Sequence, residues 1–324
     1  NFSVCIINYC IYYCDNSAIY SIIFKNTFMQ IGIDLGATKI EYVVLSKSGK
    51  EIIRSRVKTP NNYRKAIKEI KNIVLSIDKI FKKKLNVGIC HPGSIDKNTG
   101  LVKNSTNATW LNKKKLNLDL KKILKRNVFC ENDANCFTLS ESTDGSAKHY
   151  KVVFGIILGS GTGGGIVINK KILTGSNHLA GEWGHMAIPI FGNLEDKKFI
   201  QKNIKKMAIE TFVSGKGLEK LYKKKLSAHM IFNKENKNKF DRKFIKNFKL
   251  RLARSLVNLI YTLDPDAIVF GGGLSNEITF LNELKSLLIK NLKVKNLNTV
   301  FLKPDFGDAS GVRGAAMLGR KSIY

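Results

Sequence analysis

Two glycine-rich turns in this sequence have residues that could bind the phosphate groups of a nucleotide. The first turn follows an apolar stretch that ends at Asp34, and a second apolar stretch begins at Ile40. Backbone N–H groups in such a turn can approach an anion, and a threonine hydroxyl and a lysine can strengthen the contact. Asp34 could hold a hydrated Mg²⁺ ion that accompanies a nucleotide. Taken alone, an ordinary hairpin with a glycine turn is the simpler interpretation. The turn consists of Gly36, Ala37, Thr38 and Lys39.

The second turn, residues 159–165, follows a predicted buried strand. Gly159, Gly161 and Gly164 have the spacing GxGxxG, which would open a helix in a dinucleotide-binding fold. Residues 166–169 continue as a strand instead, so the pattern predicts a second glycine hairpin. Two strand–turn–strand units in successive halves of the chain indicate a duplicated domain, and the two turns could hold the phosphates of ATP from both sides.

Asp133 lies between a predicted strand, residues 127–130, and a helix that is predicted to begin at about Ala134. An aspartate in this place is often only an N-cap. The functional interpretation is a general base at the mouth of a cleft, and we expect the helix dipole to keep this carboxylate ionised. A weak base suffices for phosphoryl transfer, in which positioning and charge stabilisation contribute most.

The elements that must position these groups follow an α/β pattern. Apolar residues at helical spacing predict a helix over residues 63–81. The next predicted strand, residues 86–90, ends in the rigid turn His91-Pro92-Gly93, and ligands of open α/β sheets gather at such strand ends. Three strands followed by alternating helix and strand predict α/β layering. The remaining predicted elements are a strand at residues 52–58 and helices at residues 118–125, 240–263 and 281–292.

The composition is that of a globular protein with no membrane segment. The 324 residues can bury a sizeable core, and 44% are hydrophobic. The net charge of +30 comes from lysines scattered along the whole chain, whereas a nucleic-acid binder clusters them on one face or tail. We therefore expect no specific nucleic-acid partner. Three cysteines without CxxC spacing, Cys90, Cys130 and Cys136, indicate a reduced, cytoplasmic protein.

Residues 1–28 differ from the rest of the chain, because they are rich in Ile, Tyr and Cys and carry only two charges. The basic region of a signal peptide is missing. Polar residues interrupt the apolar run before it reaches the roughly 20 residues of a membrane helix. We expect the working protein to begin at Met29 and residues 1–28 to be an extension with no predictable fold.

From Met29 to its end, the chain resembles the ROK family (repressors, open reading frames, kinases) of sugar kinases, in the actin-like ATPase superfamily. The resemblance implies a two-lobed α/β fold of the actin-like ATPase (ribonuclease H-like) type, with the active site in the cleft. Its lobes would be residues 29–150 and 151–311, and a C-terminal helix within residues 312–324 would return to the first lobe. The matching segments, in the family's order, are residues 32–39 (GIDLGATK), 131–135 (ENDAN), 158–165 (LGSGTGGG), 181–185 (GEWGH) and 271–276 (GGGLSN).

Within this family, the chain most resembles bacterial fructokinases (manno-fructokinases). That likeness rests on residues 103–112, with the segment TWLN, on residues 209–215 (IETFVSG) and on residues 307–316 (GDASGVRGAA). N-acetylglucosamine kinases share most of the frame but match these three stretches less well.

The resemblance also implies roles for individual residues. Asp133 matches the catalytic base, and Glu182 and Glu210 suit a sugar site because a carboxylate can accept two hydroxyl hydrogen bonds. Gly271–Gly273 would pack against adenosine. The residues implied for the sugar are Asn107, Asn132, Asp133, Glu182, His185 and Glu210. Those implied for ATP are Gly32, Asp34, Gly36, Ala37, Thr38, Lys39, Gly161, Thr162, Gly163, Gly164, Gly165, Gly271, Gly272 and Gly273.

One departure from the family pattern concerns a zinc site. The family's site joins one histidine, which matches His185, to three cysteines, but Gln201, Asn203 and Ala208 stand in the cysteine positions here. Structural zinc requires four ligands, so we expect zinc to be lost and His185 to contact the sugar or its surroundings. The loop over residues 188–206 would then be more mobile than in relatives, or be held by apolar packing. The residues expected to hold it are Ile200, Ile204, Met207 and Ile209, at a spacing that suits one face of a short helix.

The sequence thus predicts an ATP-dependent and Mg²⁺-dependent hexose kinase, with D-fructose as the first choice of substrate. A kinase for N-acetylglucosamine, N-acetylmannosamine or glucose is the first alternative. A sugar-responsive repressor is the second, although residues 1–28 are too short for a helix-turn-helix domain. The expected partners are a small sugar and ATP, and we expect no membrane association. The sequence leaves open whether the protein forms a homodimer.

Overall fold

The computed structural model describes residues 28–189, 194–202, 206–222, 226–232, 238–277 and 279–319. The predicted extension lies outside this part except for Phe28, and so do residues 320–324 of the predicted C-terminal helix. Within the described residues, no helix is both long enough and apolar enough to cross a membrane.

The first half of the chain builds a five-stranded sheet in the order β3-β2-β1-β4-β7. β1 is antiparallel to β2 and parallel to β4. The buried faces consist mainly of Ile, Val and Leu, which fit a pleated surface that is covered on both sides. The strands of this sheet are β1 (Met29–Leu35), β2 (Lys39–Ser46), β3 (Glu51–Lys58), β4 (Asn86–His91) and β7 (Val128–Asn132), and a small hairpin of β5 (Ser94–Ile95) and β6 (Val102–Lys103) lies between the last two in the chain.

The second half repeats this topology, with the order β10-β9-β8-β11-β12. β8 is antiparallel to β9 and parallel to β11, as β1 is to β2 and β4. The two glycine-rich turns therefore occupy equivalent places, between the first and second strands of each sheet. The strands of the second sheet are β8 (Val152–Leu158), β9 (Thr162–Ile168), β10 (Lys171–Ile172), β11 (Ala267–Gly271) and β12 (Val300–Leu302).

Helices cover both sheets. Apolar side chains of the first two helices pack with the first sheet, and those of the long eighth helix and the ninth pack with the second. The helices are α1 (Tyr63–Phe81), α2 (Leu116–Leu124), α3 (Asp133–Thr143), α4 (Leu194–Lys202), α5 (Ile209–Val213), α6 (Gly215–Tyr222), α7 (Ala228–Phe232), α8 (Lys239–Leu263), α9 (Leu281–Leu292) and α10 (Ser310–Leu318). Short 3₁₀ turns occur at Thr109–Leu111, Trp183–His185, Gly273–Glu277 and Gly307–Ala309.

The last helix, α10, crosses back from the second sheet to the first and lies between β1, β4 and α3. Three glycines allow this close approach. A Cβ atom at Gly32 would lie 2.1 Å from the carbonyl oxygen of Val312, and one at Gly88 would lie 1.8 Å from that of Ala315. A Cβ atom on the helix itself, at Gly314, would lie 1.8 Å from the carbonyl oxygen of Cys136 in α3. The backbones of two strands, β1 and β4, and of two helices, α10 and α3, are thus in contact without side chains between them.

A buried carboxylate fixes the segment that enters α10. Glu141, in α3, has no exposed surface and accepts hydrogen bonds from the backbone N–H groups of Asp305 (3.0 Å) and Phe306 (3.3 Å). It also accepts a hydrogen bond from the Ser310 hydroxyl at 2.6 Å, and from the backbone N–H and hydroxyl of Ser146. Charge-assisted bonds of this kind are stronger than neutral ones, so the end of α3 and the start of α10 are held together.

Arg313 adds a second buried connection. Its guanidinium group, only 5% exposed, donates to the Glu51 and Asp144 carboxylates at 3.1 and 2.8 Å. It also donates to the carbonyl oxygen of Gly49 at 2.8 Å. One side chain of α10 therefore ties the β2–β3 turn to the end of α3.

The predicted elements correspond closely to the observed ones. The helix predicted over residues 63–81 is found with those bounds, and the helix predicted over residues 118–125 begins two residues earlier, at Leu116. The predicted α/β class of fold is confirmed. The division into domains with the stated boundaries stays a prediction.

The contact between Gly88 and α10 can be tested by adding one methyl group. We expect Gly88→Ala to lower the free energy of unfolding by about 1–3 kcal/mol, because overpacking forces the helix away from β4. Urea unfolding followed by circular dichroism would measure the change. Gly159→Ala is the control, since a Cβ atom there meets nothing within 4 Å, and its effect should stay within about 0.5 kcal/mol. Equal stability of the Gly88 variant and the wild type would contradict this account.

Candidate active site

The ends of three parallel strands bring the predicted acidic groups to one edge of the first sheet. Asp34 near the end of β1 pairs in register with Cys90 of β4, and His91 of β4 pairs with Asn132 of β7. Asp133 follows directly as the first residue of α3. Ligands of open α/β sheets bind outside such carboxyl ends, so the fold itself assembles the site.

Asn132, rather than Asp133, is the N-cap of α3. Its side-chain oxygen accepts a hydrogen bond from the backbone N–H of Asn135 at 2.7 Å. The Asp133 carboxylate accepts one from the N–H of Ala134 at 2.9 Å, and the side chain is exposed to the cleft. The capping task is therefore fulfilled by a neighbour, which leaves Asp133 available for chemistry.

The helix dipole, which we expected to keep Asp133 ionised, does not determine the net shift of its pKa. The surrounding protein desolvates the carboxylate, and the negative charge of Glu182 repels it, so the pKa of Asp133 is raised in spite of the hydrogen bond from Ala134. Desolvation is the largest influence on this pKa and outweighs the hydrogen bond at the helix N-terminus. A raised pKa makes this carboxylate a stronger base than an ordinary surface aspartate.

The pKa of Asp34 is raised as well. Burial, with repulsion from Asp133, raises its pKa to about 7, although a hydrogen bond with Cys90 acts in the opposite direction. The Asp34 and Asp133 carboxylates thus repel each other near the strand ends. Such an arrangement is typical of functional sites in which a bound cation or substrate completes the charge balance.

Glu182 is held at the site by its neighbours in the segment GEWGH. Gly181 has φ of +88°, and a Cβ atom there would lie 2.6 Å from the carbonyl oxygen of Gly164. The indole N–H of Trp183 donates to the carbonyl oxygen of Gly163 at 3.0 Å. These two contacts fasten the segment to β9. The imidazole of His185, 70% exposed, has its Nε2 atom 3.4 Å from a carboxylate oxygen of Glu182.

Asn132 and Glu182 line one narrow polar cleft together with two residues that sequence reasoning did not assign, Glu131 and His178. Glu131 accepts hydrogen bonds from the backbone N–H of Asn132 (2.9 Å) and from the amide of Asn135 (3.1 Å). Burial raises its pKa. Glu131 therefore orients the residue that precedes the candidate base, and its place within the segment ENDAN was the signal for it.

The second glycine turn contacts Glu210. The carboxylate of Glu210, near the start of α5, accepts a hydrogen bond from the backbone N–H of Thr162 at 2.9 Å. A Cβ atom at Gly161 would lie 2.7 Å from the same carboxylate oxygen. Glu210 was predicted as a sugar ligand, and the structure places its carboxylate directly on the turn predicted to bind phosphate.

Several residues that were predicted to bind the nucleotide pack against other parts of the protein. Gly32 lies in the middle of β1 beneath α10, away from the first turn, so its assignment to ATP is corrected. Gly164 and Gly165 are buried against residues 181–183 and α3, where a Cβ atom would lie 2.5 Å from a backbone oxygen. Lys39 pairs with the buried Glu41 at 3.2 Å. The positions that remain for phosphate contact are Gly36, Ala37, Thr38, Gly161, Thr162 and Gly163.

The third glycine segment approaches the second turn from β11. Gly271 packs on the ring of Phe137, and Gly272, with φ of +85°, lies against the backbone of Leu158. A Cβ atom at Gly273 would meet nothing within 4 Å. Gly273, which begins a 3₁₀ turn, is therefore the member of this segment with open space for a ligand.

Asn107 lies on a loop that is attached to the end of β4. Gly93, with φ of +83°, packs against the backbone of Ser105, and the Ser105 hydroxyl donates to the carbonyl oxygen of Ala108 at 2.9 Å. The side chain of Asn107 is exposed. Its assignment to the sugar stays a prediction.

The segment that precedes Glu210 is held by charge as well as by apolar packing. Asp196 of α4 is 1% exposed and forms ion pairs with Arg251 (2.6 Å) and Arg254 (2.9 Å) of α8. Ile200 and Ile209 are buried as expected, but Met207 is 39% exposed, so it is not an anchor. The expected single short helix is wrong as well, because these residues fall on α4, on α5 and between them. Ile204 and Asn203 lie outside the described residues.

Comparison with solved structures identifies the class of fold. A ROK hexokinase from Thermus thermophilus superimposes with a TM-score of 0.75 over 90% of this chain and 98% of that one, at 20% identity. A ROK family glucokinase from Streptomyces griseus, solved in complex with glucose and AMPPNP, gives a TM-score of 0.69 over 90% and 99% of the two chains, at 21% identity. The predicted class of fold is thereby confirmed.

The ROK family model matches residues 30–322, and the chain belongs to the ROK family. An N-acetyl-D-glucosamine kinase of Histophilus somni (strain 129Pt) is 37% identical over 301 residues, which cover 90% of this chain and 98% of that one. The N-acetyl-D-glucosamine kinase of Vibrio cholerae is 36% identical and is covered completely. The predicted family is confirmed, whereas the predicted closeness to fructokinases is not supported by these relatives.

The burial of Asp34, together with repulsion from Asp133, predicts a gain in stability when the charge of Asp34 is removed. In the unfolded chain this carboxyl ionises near pH 4, but in the folded protein its pKa is about 7. Ionisation therefore favours the unfolded state, and stability falls as the pH rises through that window. We expect Asp34→Asn to raise the free energy of unfolding at pH 8 by on the order of 1–3 kcal/mol. Near pH 4 the variant and the wild type should be equally stable.

Denaturation of the Asp34 variant across this pH range provides the measurement. Asp96→Asn is a matched control, because hydrogen bonds from Thr99 lower the pKa of that carboxyl to about 2 and its removal should give no gain. A variant at Asp34 that is less stable than the wild type at pH 8 would be inconsistent with this reading of the site.

We also predict that zinc is dispensable. Among the residues that the structure describes, no group of three or more His, Cys, Asp or Glu side chains is arranged to hold a metal. With amides and a methyl group in the cysteine positions, most of the roughly 10–16 kcal/mol of a structural zinc site is unavailable. Activity should survive strong chelators once Mg²⁺ is resupplied. Elemental analysis that found one tightly bound zinc per chain would refute the prediction.

Proposed function

We propose that this protein is an ATP-dependent kinase that phosphorylates N-acetyl-D-glucosamine. The observation that carries the proposal is full-length similarity, at 36–37% identity, to kinases of that sugar. It is joined to a cleft with an available carboxylate at Asp133. The enzyme class predicted from the sequence is kept, but N-acetyl-D-glucosamine, the first alternative there, replaces D-fructose as the substrate.

Asp133 is the general base of the proposed reaction. Its carboxylate would accept the proton of the sugar's 6-hydroxyl group, and that oxygen would attack the γ-phosphoryl group in line. The raised pKa of Asp133 supports this role, because proton transfer becomes more favourable as the base becomes stronger. Asn132, Glu182 and His185 stand beside it and would fix the sugar hydroxyls by hydrogen bonds.

ATP would lie between the two glycine turns, with its adenosine toward Gly273. Asp34 fits a hydrated Mg²⁺ ion, which usually takes one or two carboxylates and otherwise substrate phosphates and water. A dication beside Asp34 would offset the repulsion that now raises the pKa of this group. Such an ion supplies charge neutralisation to the phosphates, and the chain's own part is to hold and orient them.

A coupled ADP-release assay across a panel of hexoses tests the proposal. We expect N-acetyl-D-glucosamine to give the highest kcat/KM, with N-acetylmannosamine, glucose and fructose lower. Asp133→Asn should reduce kcat by about 10²–10⁴ while sugar binding stays measurable by calorimetry. The variant should be slower than the wild type at every pH. The wild type should lose activity on acidification, as Asp133 becomes protonated.

Two outcomes would overturn parts of this proposal. Higher kcat/KM for fructose than for N-acetyl-D-glucosamine would return the assignment to the fructokinases. An Asp133→Asn variant with half of the wild-type rate would show that another group accepts the proton.

A further inference from the structure

The hydrogen bond between Glu210 and Thr162 joins the proposed sugar site to the proposed phosphate site. Glu210 is the second residue of α5, and its Oε2 atom accepts the backbone N–H of Thr162, the first residue of β9, at 2.9 Å. A carboxylate is an anion with the same kind of acceptor oxygens as a phosphate. The contact is therefore of the type that a nucleotide phosphate would make with the turn.

The turn shows where an anion would sit. The N–H of Gly159 donates to the carbonyl oxygen of Gly161 at 3.0 Å, which closes the turn and leaves the N–H of Thr162 for an outside acceptor. Gly161 has no Cβ, and one added there would lie 2.7 Å from the Glu210 oxygen. The Thr162 hydroxyl is buried and has no hydrogen-bond partner among the described residues. The Glu210 carboxylate thus fills the space over a turn that still has an unused donor.

The turn does not depend on Glu210 for its shape. The N–H of Gly215 donates to the carbonyl oxygen of Gly159 at 2.8 Å, and the N–H of Lys216 donates to that of Ser160 at 3.3 Å. These backbone bonds fasten the turn to the start of α6. Removing the carboxylate of Glu210 should therefore leave the turn in place with a free N–H group at Thr162.

We propose that Glu210 is an internal competitor of the nucleotide, which occupies the phosphate turn until sugar hydroxyls draw its carboxylate away. The proposal rests on the function proposed above and on the expectation, from the family resemblance, that Glu210 is a sugar ligand. Sugar binding then precedes and strengthens nucleotide binding. Because coupling between two binding equilibria is reciprocal, the nucleotide strengthens sugar binding by the same factor. While no acceptor sugar is present, the turn binds ATP more weakly, which limits futile hydrolysis.

Calorimetry with the Mg²⁺ complex of the non-hydrolysable analogue AMPPNP tests this without catalysis. For the wild type, saturating N-acetyl-D-glucosamine should lower the Kd of the analogue about tenfold, as expected for exchange of one charge-assisted hydrogen bond. Without sugar, Glu210→Gln and Glu210→Ala should already bind the analogue about tenfold more tightly than the wild type. In both variants, the sugar should no longer change this Kd.

Glu182→Gln is the matched control, because it removes one carboxylate of the proposed sugar site, and among the described residues Glu182 makes no hydrogen bond to the turn. This variant should change the sugar-free Kd by no more than about threefold, because only long-range repulsion is removed. If the wild type and both Glu210 variants bind the analogue equally without sugar, the competitor role is wrong. If the Glu210 variants bind it more tightly but N-acetyl-D-glucosamine has no effect on the wild type, the competitor role stands and the proposed sugar is wrong.

Discussion

The close contact of α10 with β1, β4 and α3 is the constraint on which the site depends. Glycines at three crossing points let the backbones touch, and the buried Glu141 and Arg313 fix the entry and the outer face of the helix. Glu141 and Asp133 belong to the same helix, two turns apart. The position of the candidate base is therefore set at the far end of α3 by a segment that arrives from the other sheet. Removing Glu141 would take away the acceptor of several backbone N–H and serine donors, and removing Arg313 would take away the cation that pairs with Glu51 and Asp144.

A second constraint is electrostatic. Three carboxylates, Asp34, Asp133 and Glu182, converge at the strand ends, and burial with mutual repulsion raises the pKa values of the first two. This arrangement costs stability in the free protein, and substrates and a cation would recover that cost on binding. Glu210, a fourth carboxylate, lies on the second glycine turn instead, where a backbone N–H group stabilises it. The carboxylates near the candidate base therefore repel each other, whereas the carboxylate on the phosphate turn has a hydrogen-bond donor.

The sequence pattern was enough to predict the sheets, the long helices and the strand-end position of Asp133, because periodicity and turn residues are local properties. The pattern failed where a residue's role depends on a partner that is distant in the sequence. Gly32 looked like part of the phosphate turn, but a helix almost 280 residues later explains it. The helix dipole at Asp133 was visible in the sequence, whereas the protein walls that desolvate it were not. The ion pairs of Asp196 could not be foreseen, since both arginines lie in a different helix and charged residues are usually solvated.

The late arrival of α10 also bears on how the protein is made. The strands β1 and β4 are complete once residue 91 has been synthesised, but the helix that covers their glycine faces comes more than 200 residues later. At about 5–20 residues per second, a ribosome needs on the order of ten seconds or more to cover that distance. During this time the nascent first sheet has a bare, apolar strip that another chain can cover. Chaperones that bind exposed apolar segments should therefore engage the nascent chain after the first sheet emerges, and slow codons before residue 310 should increase aggregation.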